Sequence, residues 1–157
     1  MNPDIAAGLL ASLLSLYHHG VRIERIRNHQ SWVVSHLVEA IDAHPEVPPA
    51  LLMSVGFLET GLGFDSGEGG CWGSPIDRRH RHTTGGPIAA ARDLAHSYVI
   101  CGGDWMPALH RYRVGLCNGH ERIGYTADQA MRLRWRIEER YATEVYMRVA
   151  ASPPMGP

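Results

Sequence analysis

PPALLMSVGFLETGLG, running from Pro48 to Gly63, is the stretch that decides the fold class. Its two leading prolines open a helix rather than break one, because a proline N–H would be unpaired in a first helical turn anyway. From Ala50 to about Thr60, Leu51, Leu52, Val55 and Leu58 recur at helical spacing and form one apolar stripe. Gly61 and Gly63 then break the helix. Glu59 sits at odds with the stripe. It follows Val55 by one helical turn, so it borders the apolar face, and it falls in the last turn, where the helix dipole disfavours negative charge. Both effects favour the neutral acid, the state that a general acid requires. The plainer alternative is a rim glutamate whose stem covers apolar surface while its carboxylate reaches water.

Upstream of this stretch the pattern is also helical. Asp4 is placed to cap a run through Ile5, Leu9, Leu10, Leu13, Leu14, Leu16 and Tyr17, with Gly20 as its stop. A second helix is predicted from about Ser31 to Ala43, with Trp32, Leu37, Val38 and Ile41 on one side, ended by His44-Pro45. Downstream, the segment from Gly61 to Pro87 holds eight glycines and two prolines, which reads as a long ordered loop with room for a short β-hairpin. Cys71, Trp72 and Ile76 argue that it is partly buried. Helices resume from Ile88 to Cys101 and, capped by Asp104, from Trp105 to about Leu116. Thr126-x-x-Gln129 is a capping box for a long last helix to about Val149. Residues 151–157 read as a loose Pro/Gly-rich tail.

The chain has 157 residues, 45% of them apolar and 20% charged. That is one globular domain over residues 1–150, with N-terminal helices over 1–45 packed on a core over 47–146. A net charge of −1 excludes nucleic-acid binding by bulk charge. All 15 basic residues are arginine, so every basic contact is a planar fork suited to carboxylates and phosphates. Three cysteines are too few for a disulfide scaffold. Cys101 and Cys117, at the ends of adjacent helices, could pair and leave Cys71 over. The apolar run from Ile5 to Leu16 is too short to cross a bilayer, and Asp4 stands where a secretory leader has a basic start.

The order of three short motifs resembles the soluble lytic transglycosylase family of the lysozyme-like superfamily. That family carries Glu-Ser-Gly at the end of a core helix, then a Gly-Ala-x-Gly-Leu-Met-Gln loop, then an Ala-Leu-x-x-Tyr-Asn-x-Gly helix. Here Glu59-Thr60-Gly61 matches the first, Gly70 and Gly73 the second, and Ala108, Leu109, Tyr112 and Gly115 the third. The resemblance covers roughly residues 47–146. It departs at Ser74-Pro75-Ile76, where the family has Leu-Met-Gln, and at Arg113, where it has asparagine. The resemblance implies a mainly α, lysozyme-like fold with the glycine-rich loop or hairpin beside a cleft. It further implies cleavage of the β-1,4 bond between N-acetylmuramic acid and N-acetylglucosamine in peptidoglycan, without a cofactor. Glu59 would protonate the glycosidic oxygen. The same glutamate would then serve as base on the sugar's own 6-hydroxyl, giving a 1,6-anhydro product; in lysozymes water attacks instead.

Other site residues follow with alternatives attached. Tyr112 carries over as a cleft tyrosine near the acid, or is a core residue packed on Trp105 and Leu109. Trp72 stacks on a sugar face or plugs its loop onto the core. Gly73 and Tyr125 fall at positions that the resemblance puts near substrate. A second carboxylate, needed for the two-acid scheme, could come from Asp65, Glu68 or Asp77; Asp77 equally suits a turn. The basic run Arg78-Arg79-His80-Arg81-His82 reads as a solvated loop able to meet peptidoglycan carboxylates. Its arginines oppose a metal site built from His80, His82 and Cys71. Arg132, Arg134, Arg136 and Arg140 alternate with Leu133, Trp135 and Ile137, but Glu138, Glu139 and Glu144 dilute the charge, so a solvated helix face is expected rather than a nucleic-acid surface. The implied partners are glycan strands and, in a virion or cell-envelope setting, neighbouring particle or envelope proteins. The rival expectation is a lysozyme-like shell kept as a structural or glycan-binding part of a larger assembly, which Ile76 and Arg113 favour.

Overall fold

The computed structural model describes residues 1–17, 20–64, 72, 86–118 and 126–151. Among them are seven helices: α1 (Pro3–Ser15), α2 (Val21–Asn28), α3 (Gln30–Ala43), α4 (Pro49–Thr60), α5 (Gly86–Ile100), α6 (Trp105–Val114) and α7 (Ala127–Ala151). No described residue is in a strand. The small hairpin expected between Gly61 and Pro87 is not seen at residues 61–64 or 72, and the rest of that segment lies outside the described residues.

α4 is the hub. Every side chain from Ala50 to Phe57 is buried, so the one-sided stripe read from the sequence is in fact an all-round apolar surface. Such a helix is stable only when surrounded. α7 packs along it most extensively, with α5, α3 and α1 on its other sides. Fully burying one aliphatic side chain stabilises by about 1.5–3 kcal/mol, and Leu51, Leu52, Met53 and Val55 are all fully buried. α1 lies against both α3 and α7. Its approach to α7 is close at Gly8, where a Cβ would meet Tyr141 Cε2 at 2.4 Å. The α-amino group of Met1 pairs with Asp42 at the far end of α3.

Helix ends follow their local chemistry. α1 is capped by Asn2, whose side chain accepts from the Asp4 N–H; Asp4 is a first-turn residue, not the cap that its sequence position suggested. Asp104 caps α6 by accepting from Met106 N–H at 2.9 Å. α6 stops at Val114 rather than Leu116, because Gly115 adopts φ +86°, a left-handed conformation natural to glycine. The capping box of α7 is formed in both directions: Thr126 Oγ1 accepts from Gln129 N–H at 3.1 Å, and Gln129 Oε1 accepts from Thr126 N–H at 2.7 Å. Cys101 and Cys117 form a disulfide, with Cα atoms 5.6 Å apart, which ties the end of α5 to the segment after α6. α2 was not foreseen. Only Ile23 and Ile26 of its eight residues are buried, too few to raise a periodic signal over its charged positions.

Candidate functional site

α4 ends in an unusual turn. Gly61 takes φ +58° and its N–H donates to the carbonyl of Phe57 at 3.0 Å. Leu62 also takes φ +58°, a left-handed conformation that costs a non-glycine residue roughly 1–2 kcal/mol. Burial holds it there: the Leu62 side chain is fully buried, and its N–H donates to the carbonyl of Gly56 at 2.9 Å. Strain of this kind gathers at functional sites, and here it immediately follows Glu59-Thr60. Thr60 fastens the turn. Its Oγ1 accepts from Gly63 N–H at 2.9 Å and donates to the carbonyl of Gly56 at 3.3 Å. Glu59 is half-buried on this last turn.

Two further segments converge on the same place. Trp72 lies against α4 at Gly56, one turn before Glu59. A Cβ on Gly56 would fall 2.5 Å from Trp72 Cε3, 2.7 Å from its Cδ2 and 3.2 Å from Leu62 Cδ2, so the absence of a side chain at 56 is what lets the indole sit down on the helix. Tyr112, from α6, donates its phenolic O–H to the carbonyl of Trp72 at 3.4 Å. Ala108, Leu109 and Tyr112 are the buried residues of α6, a spacing that turns one face inward. Trp72 therefore links α4 at Gly56, three residues before Glu59, to Tyr112 of α6.

Those contacts redefine two residues. Trp72 is 0% exposed and Tyr112 1%, so neither ring offers a face on which a sugar could stack. Trp72 is packed into the core, and Tyr112 holds its carbonyl from α6. Trp105 pairs with Tyr98, their rings stacked 4.2 Å apart. Gly73, Asp77 and Tyr125 lie outside the described residues, as do Asp65, Glu68, Cys71, Ile76, His80 and His82. Among the described residues, no group of three or more histidine, cysteine, aspartate or glutamate side chains is arranged to hold a metal ion.

Sequence reasoning missed Arg22 and Arg25. Arg22 reaches from α2 to the last turns of α4, and Arg25 to the segment just beyond it. Arg22 Nη1 donates to the carbonyl of Phe57 at 3.4 Å, and its guanidinium carbon lies 5.5 Å from the centre of the Phe57 ring. Arg25 Nη1 donates to the carbonyl of Phe64 at 3.1 Å. The C-terminal end of α4 thus has Arg22 on one of its last carbonyls, a cation that complements its dipole. Beside them Phe64, Trp32 and His36 form an aromatic chain, with Trp32 stacked on His36 at 4.2 Å and edge-on to Phe64 at 5.7 Å. The only available signal was the pair of arginines on a short helix of unrecognised placement. A groove of about 550 Å³ between α1 and α3, lined in part by Pro3, Ala7, Val34, Val38 and Glu39, takes none of its walls from α4. No protein-family model, curated protein or solved structure matches the chain.

Proposed function

We propose that this protein cleaves the glycan strand of peptidoglycan at the β-1,4 bond between N-acetylmuramic acid and N-acetylglucosamine, with Glu59 as its acid and a lysozyme-like arrangement of helices around it. The single observation that supports this reading is a glutamate on the last turn of a buried helix, with Trp72 seated against that helix one turn away and Tyr112 of α6 donating to the Trp72 carbonyl. Thr60 adds to it, since a hydroxyl after the glutamate fastens the turn, and serine or threonine can supply one.

In this mechanism Glu59 transfers its proton to the bridging oxygen as the bond to the muramoyl anomeric carbon breaks. The leaving sugar departs as a neutral alcohol, and positive charge is shared between the ring oxygen and the anomeric carbon. The Glu59 carboxylate then takes the proton from the 6-hydroxyl as that oxygen closes on the anomeric carbon, which returns the acid to its starting state. Water in place of the 6-hydroxyl gives hydrolysis. The disulfide between Cys101 and Cys117 suits an oxidising location, as a virion-associated or cell-envelope protein would occupy.

The rival, a non-catalytic glycan-binding or structural shell, is favoured by one observation: Trp72 and Tyr112, the two rings the resemblance offered to substrate, are buried. Turbidity loss of purified cell walls separates the two. The wild type is expected to clear the suspension and Glu59→Gln to lose at least about a hundredfold in rate, the usual scale of a general acid's contribution. Released fragments one water lighter than the hydrolytic product identify the anhydro route. An inactive wild type sides with the shell; equal rates remove Glu59 from the chemistry.

A further inference from the structure

We propose that the Cys101–Cys117 bridge is a redox clamp on α6. When a dithiol reductant opens it, α6 detaches locally ahead of the other helices and gives up its hold on Trp72. The bridge encloses the helix. Residues 102–116 form the closed loop, and α6 spans 105–114 within it. One covalent bond therefore restrains both ends of α6.

The other attachments of α6 are those of a short helix. Asp104 caps its first turn and Trp105 stacks on Tyr98. It has ten residues, of which Ala108, Leu109 and Tyr112 are buried, and it packs on α5 and α7. Isolated helices below about 12–15 residues are marginal in water, so α6 depends on staying docked. The chain turns through Gly102 before it, at φ +78°, and through Gly115 after it, at φ +86°. At both glycines a Cβ would meet nothing within 4 Å, so each is an unobstructed pivot. With the bridge closed, residues 102–116 remain a loop even when the helix detaches, and detachment gains little disorder. With the bridge open, the same step frees the whole segment. Segments with few buried contacts are the ones that open below the global unfolding limit.

Detachment has a defined consequence. Tyr112 donates to the carbonyl of Trp72 at 3.4 Å, and Trp72 sits on α4 at Gly56, so the clamp reaches the core helix through that pair. The sulfurs belong to half-buried residues, and Gly102, Leu116 and Asn118 beside them are exposed, which gives a small dithiol access. A thiolate of the reductant attacks one sulfur of the bridge, and the other cysteine leaves as a thiolate. The reductant's second thiolate then displaces the remaining cysteine from the mixed disulfide. Two electrons and two protons pass to the protein, which ends with two thiols, while the reductant ends as a disulfide. None of this depends on whether Glu59 is a catalyst.

Amide hydrogen exchange read by mass spectrometry tests the clamp. The full chain carries Cys71→Ser, which leaves Cys101 and Cys117 as its two cysteines. It is compared oxidised and after dithiothreitol. Peptides from α6 are expected to lose at least about tenfold in protection on reduction, while peptides from the middle of α4 and α7 keep theirs within about twofold. Reoxidation by glutathione disulfide, with the bridge confirmed by intact mass, is expected to restore α6. Adding Cys101→Ser/Cys117→Ser should reproduce the reduced pattern with or without dithiothreitol. Unchanged exchange of α6 in the reduced chain overturns the proposal. So does a loss shared equally by α4, α6 and α7, which would make the bridge a support of the whole fold, and so does an α6 that stays open once the bridge has re-formed.

Discussion

Gly56 shows how one missing side chain shapes the site. Alanine in a helix interior is worth about 0.5–1 kcal/mol more than glycine, so Gly56→Ala would stabilise an isolated α4. In the folded protein the new methyl meets Trp72 Cε3 at 2.5 Å, and an indole held at zero exposure has nowhere to turn. Overpacking costs about 1–3 kcal/mol, which outweighs the gain in propensity. Gly56→Ala is therefore expected to lose about 1–2 kcal/mol in urea denaturation, and to shift Trp72 away from the turn beside Glu59. A measured gain in stability would show that the indole does not pack where it is placed. Glu59 stood out in the sequence because a charge bordering an apolar stripe is conspicuous. The residues that brace its turn, Arg22 and Arg25, did not, because they act through backbone carbonyls across long stretches of chain.

At the scale of elements, the last helix was the most legible. Thr126 and Gln129 announce its start with local chemistry alone, and the reciprocal hydrogen bonds are present. Because α7 makes the largest contact with α4, fraying of its first turn would be felt in the core, where Ala127, Ala130 and Met131 are buried. Thr126→Ala is expected to cost about 1 kcal/mol, the usual value of an N-cap, while Thr126→Ser should be nearly neutral. Thermal melts of the two variants side by side check this. α2 lies at the other extreme. Its sequence is mostly polar and charged, and its position is set by two buried isoleucines and two arginines that reach across to Phe57 in α4 and to Phe64 just beyond it.

At the scale of the whole molecule, the disulfide is the feature with the largest separable effect. It closes a loop between positions 16 residues apart, and a loop of about that length restricts the unfolded chain by roughly 3 kcal/mol in the chain-entropy account. For a chain of this size, reduction is expected to lower Tm by roughly 6–12 °C. Calorimetry of the oxidised and reduced protein checks it, with Cys101→Ser/Cys117→Ser as the matched covalent control. A change of only a degree or two would mean that the segment after α6 is already held by packing.

What the amino-acid order determined by itself was the mainly helical class, most helix positions, the capping at Asp104 and Thr126, and the oddity of Glu59. Each of these is written in neighbours one to four residues apart, where propensity, proline geometry and 3.6-residue periodicity act directly. Tertiary structure alone decided that α4 is buried all round, that Trp72 and Tyr112 serve the core, that Cys101 meets Cys117, and that α2 braces the turn after Glu59. Those outcomes depend on which surfaces meet across the chain, and a residue's nearest neighbours in sequence carry no record of what will press against it once the helices assemble.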